Sequence, residues 1–299
     1  MLDIGIVGLK NATPFIDALK HSSALNFKGV YDPCLLIDNC RTTEFNVFQS
    51  FGDLCSECGA VIFSIDDNLY YPLDCEAIRH YLDVFVAGVH SYQTKELNSL
   101  LMLRDEAQSV VCVGHKFIGD DFFAMLRRQC SHPLDIQCNI TRNSNTNLVS
   151  LARTELSLML MLVRASVHRV AVNVYSSFST VPDSMRVRLD FDNGTVGNIS
   201  IDRYGLNPEH TIRVLNYNSI ANADMIVRRL AVIGSDNPET PIVKTAGIDG
   251  KTAAETQLAT FYSAIMGGSG LYNSIENEIR AQLACERICE KMRINFNVF

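Results

Sequence analysis

The sequence predicts an α/β protein: an N-terminal doubly wound, parallel Rossmann sheet over residues 1–115, then an α+β domain with a largely antiparallel sheet over residues 116–299. Three observations carry this. Through the first domain, short apolar runs alternate with amphipathic helical stretches, the pattern of strands buried on both faces between helices. After Lys116 the order changes to a helix, a strand and a buried helix, and then a succession of strands. The 299 residues, 47% hydrophobic and 20% charged with no low-complexity tract, hold apolar material for one large domain or two ordinary ones and exclude a disordered chain.

In order along the first domain, Ile4–Val7 is an apolar strand that stops at Gly8. Thr13-Pro14 opens a helix to Lys20 with Phe15, Ile16 and Leu19 on its apolar side. Phe27–Tyr31 is the second strand, ended by Asp32-Pro33, and Ala60–Ile65 the third, a continuous apolar run. A helix over Pro72–Tyr81, a strand over Val84–Ala87, a helix over Thr94–Ala107 and a strand over Val110–Val113 complete the alternation.

In the second domain, Asp120–Cys130 reads as a helix and Asp135–Arg142 alternates as a strand. Leu148–Val163 is a helix so apolar that it belongs in a core. Strands follow at Arg169–Tyr175, Met185–Phe191, Val196–Asp202, Thr211–Tyr217 and Ala223–Ile233. Asp192-Asn193-Gly194 supplies a hairpin turn, since Asn and Gly tolerate positive φ. Glu255–Met266 and Ser274–Arg293 close the chain as helices, the last with acidic residues in its first turn and basic residues in its last, as the helix dipole prefers.

Charge and composition narrow the function classes. The net charge is −7 and the Lys and Arg residues are scattered, so there is no basic stripe for nucleic acid. No apolar run approaches the roughly 18–20 residues that span a bilayer. The N-terminal MLDIGIVGLK lacks the basic region and cleavage site of an export signal, so a cytoplasmic location is the expectation. Most of the ten cysteines then read as reduced thiols. Cys55-x-x-Cys58 and Cys285-x-x-x-Cys289 have metal-like spacing, but neither has a clear second knuckle, and no metal site is expected.

Several segments together, DIGIVGL, GVYDP, GAVIFSIDDNLYY, VGHKF, RVRLDFDNGTVGNIS and FYSAIMGGSGLYNSIENEIRAQLACERI, resemble the glucose–fructose oxidoreductase / inositol dehydrogenase (Gfo/Idh/MocA) family in order and spacing over essentially the whole chain. The resemblance implies a Rossmann domain that binds NAD or NADP and a C-terminal open sheet through which subunits associate, so a homo-oligomer is expected.

The cofactor and catalytic motifs depart from the family. The G-x-G-x-x-G fingerprint is replaced by Gly8-Leu9-Lys10-Asn11-Ala12-Thr13. Gly8 keeps the tight turn, Lys10 occupies the place where the backbone approaches the pyrophosphate, and Thr13 the place of close helix–strand packing. The lysine ammonium can pair with phosphate oxygens, and the helix after Asn11 still offers its amino end. Asp32, at the end of the second strand, accepts from an adenosine ribose and repels a 2′-phosphate, which favours NAD over NADP, or else is a turn residue before Pro33. With Ser64 and Asp66 past the third strand, Gly8, Lys10, Asn11 and Asp32 make up the candidate cofactor site.

Where the family has E-K-P, this chain has Ala87-Gly88-Val89, with Gly88 in the lysine position. Tyr70 stands where the family's T-P-N-x-x-H has its histidine. On the helix carrying the family's G-x-H-x-x-D, Thr154 and Ser157 stand for His and Asp, and a one-residue slip would bring Glu155 to the His position. Removing a carbinol proton needs a base of near-neutral pKa, which Thr and Ser do not supply. His90, Lys116 and Glu155 are the substitutes on offer. The reading is therefore an NAD(P)-dependent oxidoreductase-like protein, weak or inactive as a dehydrogenase, with a nucleotide or sugar ligand. The alternative is an active sugar or polyol oxidoreductase with a rearranged site.

Overall fold

The structure is a computed structural model and describes residues 1–33, 45–65, 67–89, 91–142, 147–177, 181–245, 251–268 and 273–296. It divides into two compact units, Met1–Asp120 with Gly250–Ile279, and Asp121–Asp249 with Arg280–Phe299.

The first unit is built on a parallel sheet of β1 (Leu2–Val7), β2 (Leu25–Tyr31), β3 (Ala60–Phe63), β4 (Asp83–Val86) and β5 (Val111–Val113), in the spatial order β5-β4-β3-β1-β2. A two-residue strand at the β5 edge, Asn273–Ser274, pairs antiparallel. At the other edge Val47 makes a single parallel bridge to Val30. With that bridge counted beside β2, the arrangement follows the common Rossmann order 3-2-1-4-5-6. The helices are α1 (Thr13–Lys20), α2 (Phe51–Glu57), α3 (Tyr71–Arg79) and α4 (Thr94–Ala107). The sequence reading missed α2, whose cap is Ser50, with Oγ accepting from the Asp53 N–H.

Strand alternation sends apolar side chains to both faces. Val7, Val61, Phe63, Val84 and Val86 face one way and pack with α2, α3 and α4 through Leu54, Ile78 and Leu97. Ile4, Ile6, Ala60, Ile62, Phe85 and Cys112 face the other way, with Phe15, Ile16 and Leu19 of α1. One helix does not cover that face. The rest of the cover comes from the far end of the chain, where α7 (Ala253–Ile265) brings Leu258 and Phe261, the Phe85 and Phe261 ring centres lying 5.7 Å apart. The division at residue 115 is corrected accordingly: residues 250–279 belong with the first unit, because both faces of a parallel sheet must be buried.

In the second unit the strands are β6 (Pro133–Thr141), β7 (Val167–Tyr175), β8 (Ser184–Phe191), β9 (Val196–Asp202), β10 (Glu209–Asn216), β11 (Ser219–Asp224), β12 (Arg229–Gly234) and β13 (Ile242–Thr245), and the helices are α5 (Asp121–Arg128) and α6 (Leu148–Val163). The sheet order is β13-β12-β11-β10-β6-β9-β8-β7, with every neighbouring pair antiparallel except β6 and β9. The Asp192-Asn193-Gly194 turn forms as expected, with Gly194 at φ 84°. α6, capped by Asn147 Oδ1, lies buried against β9 and β6. Met159 sits so close over Gly197 that a Cβ there would meet its sulfur at 2.5 Å.

The single strand expected over Ala223–Ile233 is instead a hairpin of β11 and β12. Asp224 Oδ1 accepts from the Ile226 and Val227 N–H groups, at 2.9 and 3.1 Å, and Arg228 takes φ 56°. Side-chain capture of those donors turns the chain although Ile226 and Val227 are apolar. The last helix, α8 (Ile275–Phe296), runs from the first unit into the second.

Phe261→Ala is expected to destabilise the first unit by about 3–5 kcal/mol, the usual cost of emptying a buried aromatic site. Urea denaturation followed by circular dichroism measures it. A cost below about 1 kcal/mol would mean that α7 does not complete the sheet's cover.

Candidate functional site

The parallel strands end at one edge, and the residues that follow β1, β3 and β4 continue a staircase of hydrogen bonds there: Gly8 N–H to Tyr31 O, Ser64 N–H to Val7 O and Ala87 N–H to Phe63 O, each 2.8–3.1 Å. The connections after β1 and β3 depart here, at the point where strand order reverses, the usual place for a ligand in an open α/β sheet. Gly8 has φ +83°, and a Cβ on it would lie 2.5 Å from Ile65 Cδ1. Only glycine fits this turn.

Two side chains fasten the loop. Buried Ser64 donates from Oγ to Gly8 O at 2.6 Å, and buried Asp32 accepts the Leu9 N–H on Oδ2 at 2.8 Å. The structure thus brings Gly8, Asp32 and Ser64 together. Lys10 and Asn11 are exposed on the loop beside them, while Ala12, fully buried, packs inward where α1 begins. Asp66, the sixth candidate, lies outside the described residues, as does His90.

Part of this edge suits a dinucleotide. Gly8 leaves the turn without a side chain, and the Asp32 carboxylate is held beside the loop by the Leu9 N–H. Lys10, however, puts a side chain where the fingerprint has its second glycine. The amino end of α1 is also poorer in donors than usual, because Pro14 in its first turn has no N–H.

The positions that the resemblance matches to proton-transfer groups are placed as follows. Gly88 is buried and carries no side chain. Tyr70 packs into the core under α3 and α4, only 7% exposed. Thr154 Oγ1 donates to Ser150 O at 3.1 Å, and Ser157 is fully buried. Of the substitutes, Lys116 is exposed with its ammonium 4.5 Å from the Phe117 ring centre. His115 beside it is buried, and its Nδ1 accepts the Phe117 N–H at 3.4 Å.

Glu155 is 1% exposed and faces the sheet of the second unit. There His210 Nε2 lies 3.1 Å, and Cys138 Sγ 3.6 Å, from the same oxygen, Oε2. Sequence reasoning singled out Glu155 but missed both partners. The signal was present: His210 alternates in phase with Ile212 and Val214, Cys138 with Ile136 and Ile140, and Glu155 falls in helical phase with Leu148, Leu151, Leu158 and Leu162. Each is a polar residue in the apolar phase of its own element.

The cysteine pairs separate. Burial pushes the Cys55 and Cys58 thiols up to about 12, with nearby Glu76 raising the first and Asp3 the second, so both are inert core residues. Cys285 and Cys289 lie a turn apart on α8 and share a hydrogen bond. That bond, reinforced by Arg293, draws the half-buried Cys289 down to about 6, while the bond and burial together push Cys285 up.

Similarity to solved structures spans the whole chain. UDP-N-acetylglucosamine 3-dehydrogenase from Acidithiobacillus ferrooxidans matches with a TM-score of 0.82 at 17% identity over 99% of both chains. A dehydrogenase from Clostridium difficile matches at 0.79 and 16%, over 97% of this chain and 99% of that one. An oxidoreductase from Agrobacterium radiobacter, solved with NAD+, L-tartaric acid and magnesium, matches at 0.77 and 12%, over 98% and 96%. No family model matches the chain, and no curated protein matches it by sequence. The fold is that of these dehydrogenases, as the resemblance to the glucose–fructose oxidoreductase / inositol dehydrogenase family implied. Identities this low carry the fold and not the chemistry.

Iodoacetamide near neutral pH is expected to alkylate Cys289 ahead of Cys55, Cys58, Cys112 and Cys130, the rate rising through a midpoint of about 6. Mass-spectrometric peptide mapping reads this. A Cys289 rate that keeps climbing above about pH 8, as for an ordinary thiol, contradicts the shared hydrogen bond.

Proposed function

We propose that this chain is an oxidoreductase-fold protein that binds NAD weakly at the carboxyl edge of its parallel sheet and does not oxidise sugars or polyols. The observation that carries the reading is the filling of the proton-transfer positions: Gly88 has no side chain, and Tyr70 belongs to the core. The likeness to dehydrogenases, one of them solved with NAD+, supports a nucleotide ligand.

Gly8, Lys10, Asn11, Asp32 and Ser64 would hold the cofactor, which when bound supplies a nicotinamide ring that exchanges a hydride. Asp32 would receive the adenosine ribose and disfavour the 2′-phosphate of NADP. Lys10 would contribute an ammonium to the phosphates while its stem keeps the backbone N–H groups at a distance. Losing about two such hydrogen bonds costs on the order of 2–4 kcal/mol, which weakens a micromolar site by roughly 30- to 1000-fold.

Titration calorimetry should therefore give an NAD dissociation constant weaker than about 100 µM, and Lys10→Gly should tighten it. Neither form should reduce NAD with a sugar or polyol, read as NADH absorbance. Low-micromolar binding by the unmodified protein contradicts the occluded loop. Turnover by either form contradicts the loss of activity and turns attention to Lys116.

Self-association is part of the same reading. On β8, Met185, Val187, Leu189 and Phe191 are buried, while Arg186, Arg188 and Asp190 point to the other face. There Arg186 pairs with Asp202 at 3.0 Å and Arg188 with Asp190 at 3.1 Å. A surface with alternating charges of both signs can complement itself about a two-fold axis. Light scattering at micromolar concentration should give twice the chain mass of 33.3 kDa; a monomer would rule the contact out.

A further inference from the structure

Among the described residues, one group of side chains brings three different metal-ligating atoms together: Cys138 Sγ, Glu155 Oε2 and His210 Nε2, all within 4.8 Å of one another. We infer that these three residues bind a single divalent ion of zinc type, a structural staple between α6 and the sheet of the second unit.

Two of the three ligand–ligand edges, both meeting at Glu155 Oε2, suit the ion. Around tetrahedral zinc, with bonds of about 2.3 Å to sulfur and about 2.0–2.1 Å to nitrogen and oxygen, the N···O edge is about 3.3 Å and the S···O edge about 3.6 Å. The corresponding separations are 3.1 Å and 3.6 Å. The ligands stand on rigid elements. Cys138 and His210 lie on adjacent strands in fixed antiparallel register, Cys138 opposite Ile212 and Ile140 opposite His210. Glu155 is in the middle of a sixteen-residue helix.

Charge balance allows the ion as well. The three side chains are 2%, 1% and 4% exposed. A thiolate and a carboxylate with a neutral imidazole carry two negative charges, so a dipositive ion makes the buried group neutral. An uncompensated charge in such a core is costly. On binding, the metal–sulfur bond replaces the Cys138 S–H bond and that proton leaves to solvent, while the proton shared by His210 Nε2 and Glu155 Oε2 is released or moves to His210 Nδ1. One thiolate, one imidazole and one carboxylate form a borderline donor set suited to zinc and, as a spectroscopic stand-in, cobalt(II). Three protein ligands leave one position of the tetrahedron for a water molecule.

The test uses the full-length chain, expressed without a polyhistidine tag and refolded from urea with cobalt(II) or zinc(II). One equivalent of cobalt is expected to bind with a thiolate-to-cobalt charge-transfer band in the near ultraviolet. Zinc should raise the melting temperature. Cys138→Ser should abolish the band, His210→Gln should weaken cobalt binding at least tenfold, and Cys289→Ser should leave it intact. A wild-type chain with neither a charge-transfer band nor a zinc-dependent melting shift overturns the inference and leaves a hydrogen-bonded core cluster, a result that needs no variant to fold. A band that survives Cys138→Ser, or is lost in Cys289→Ser, assigns the metal elsewhere and overturns it equally.

Discussion

Burial of both faces of a parallel sheet constrains the first unit throughout. Strands with Ile4, Ile6 and Ile62 on one side and Val7, Val61 and Phe63 on the other have no face to give to water. Residues 51–107 supply three helices to one side, whereas α1 alone covers part of the other. The chain therefore comes back with α7 between the two segments of the second unit. The same return brings Asn273–Ser274 to the exposed edge of β5, where it occupies hydrogen-bonding groups that would otherwise offer pairing to another chain.

At the carboxyl edge of the parallel sheet, polar side chains are used to hold backbone in place. Ser64 ties β3 to the Gly8 turn, and Asp32 ties β2 to the residue after it. Below the surface, Tyr92 donates its hydroxyl to fully buried Asp74, fixing the start of α3 against the segment after β4. Tyr70 and Tyr71 pack around the same place. These tyrosines are committed to the core.

The second unit puts its polar residues to a different use. Its sheet is apolar towards α6 except at Cys138 and His210, and α6 is apolar there except at Glu155. Three independent polar choices meeting at one oxygen atom fix how the helix sits on the sheet, because any slide would strand a carboxylate among leucines and valines. Met159 over Gly197 fixes the same helix sterically.

The sequence by itself determined the elements whose cause is local. The alternation of β8 and β9, the Asp192-Asn193-Gly194 turn and the apolar run of α6 all follow from periodicity or turn chemistry within a few residues. The Gly8 turn was legible for the same reason: one residue type satisfies its backbone angle. Only the tertiary structure decided the β11–β12 reversal, since Ile226 and Val227 suit a strand until the Asp224 side chain takes their N–H groups. It also decided where α7 belongs and which residues meet Glu155. His210 is 55 residues from Glu155 and Cys138 is 17. Residues that far apart meet only when sheet register and helix placement are set together, and no local pattern in one sequence encodes that.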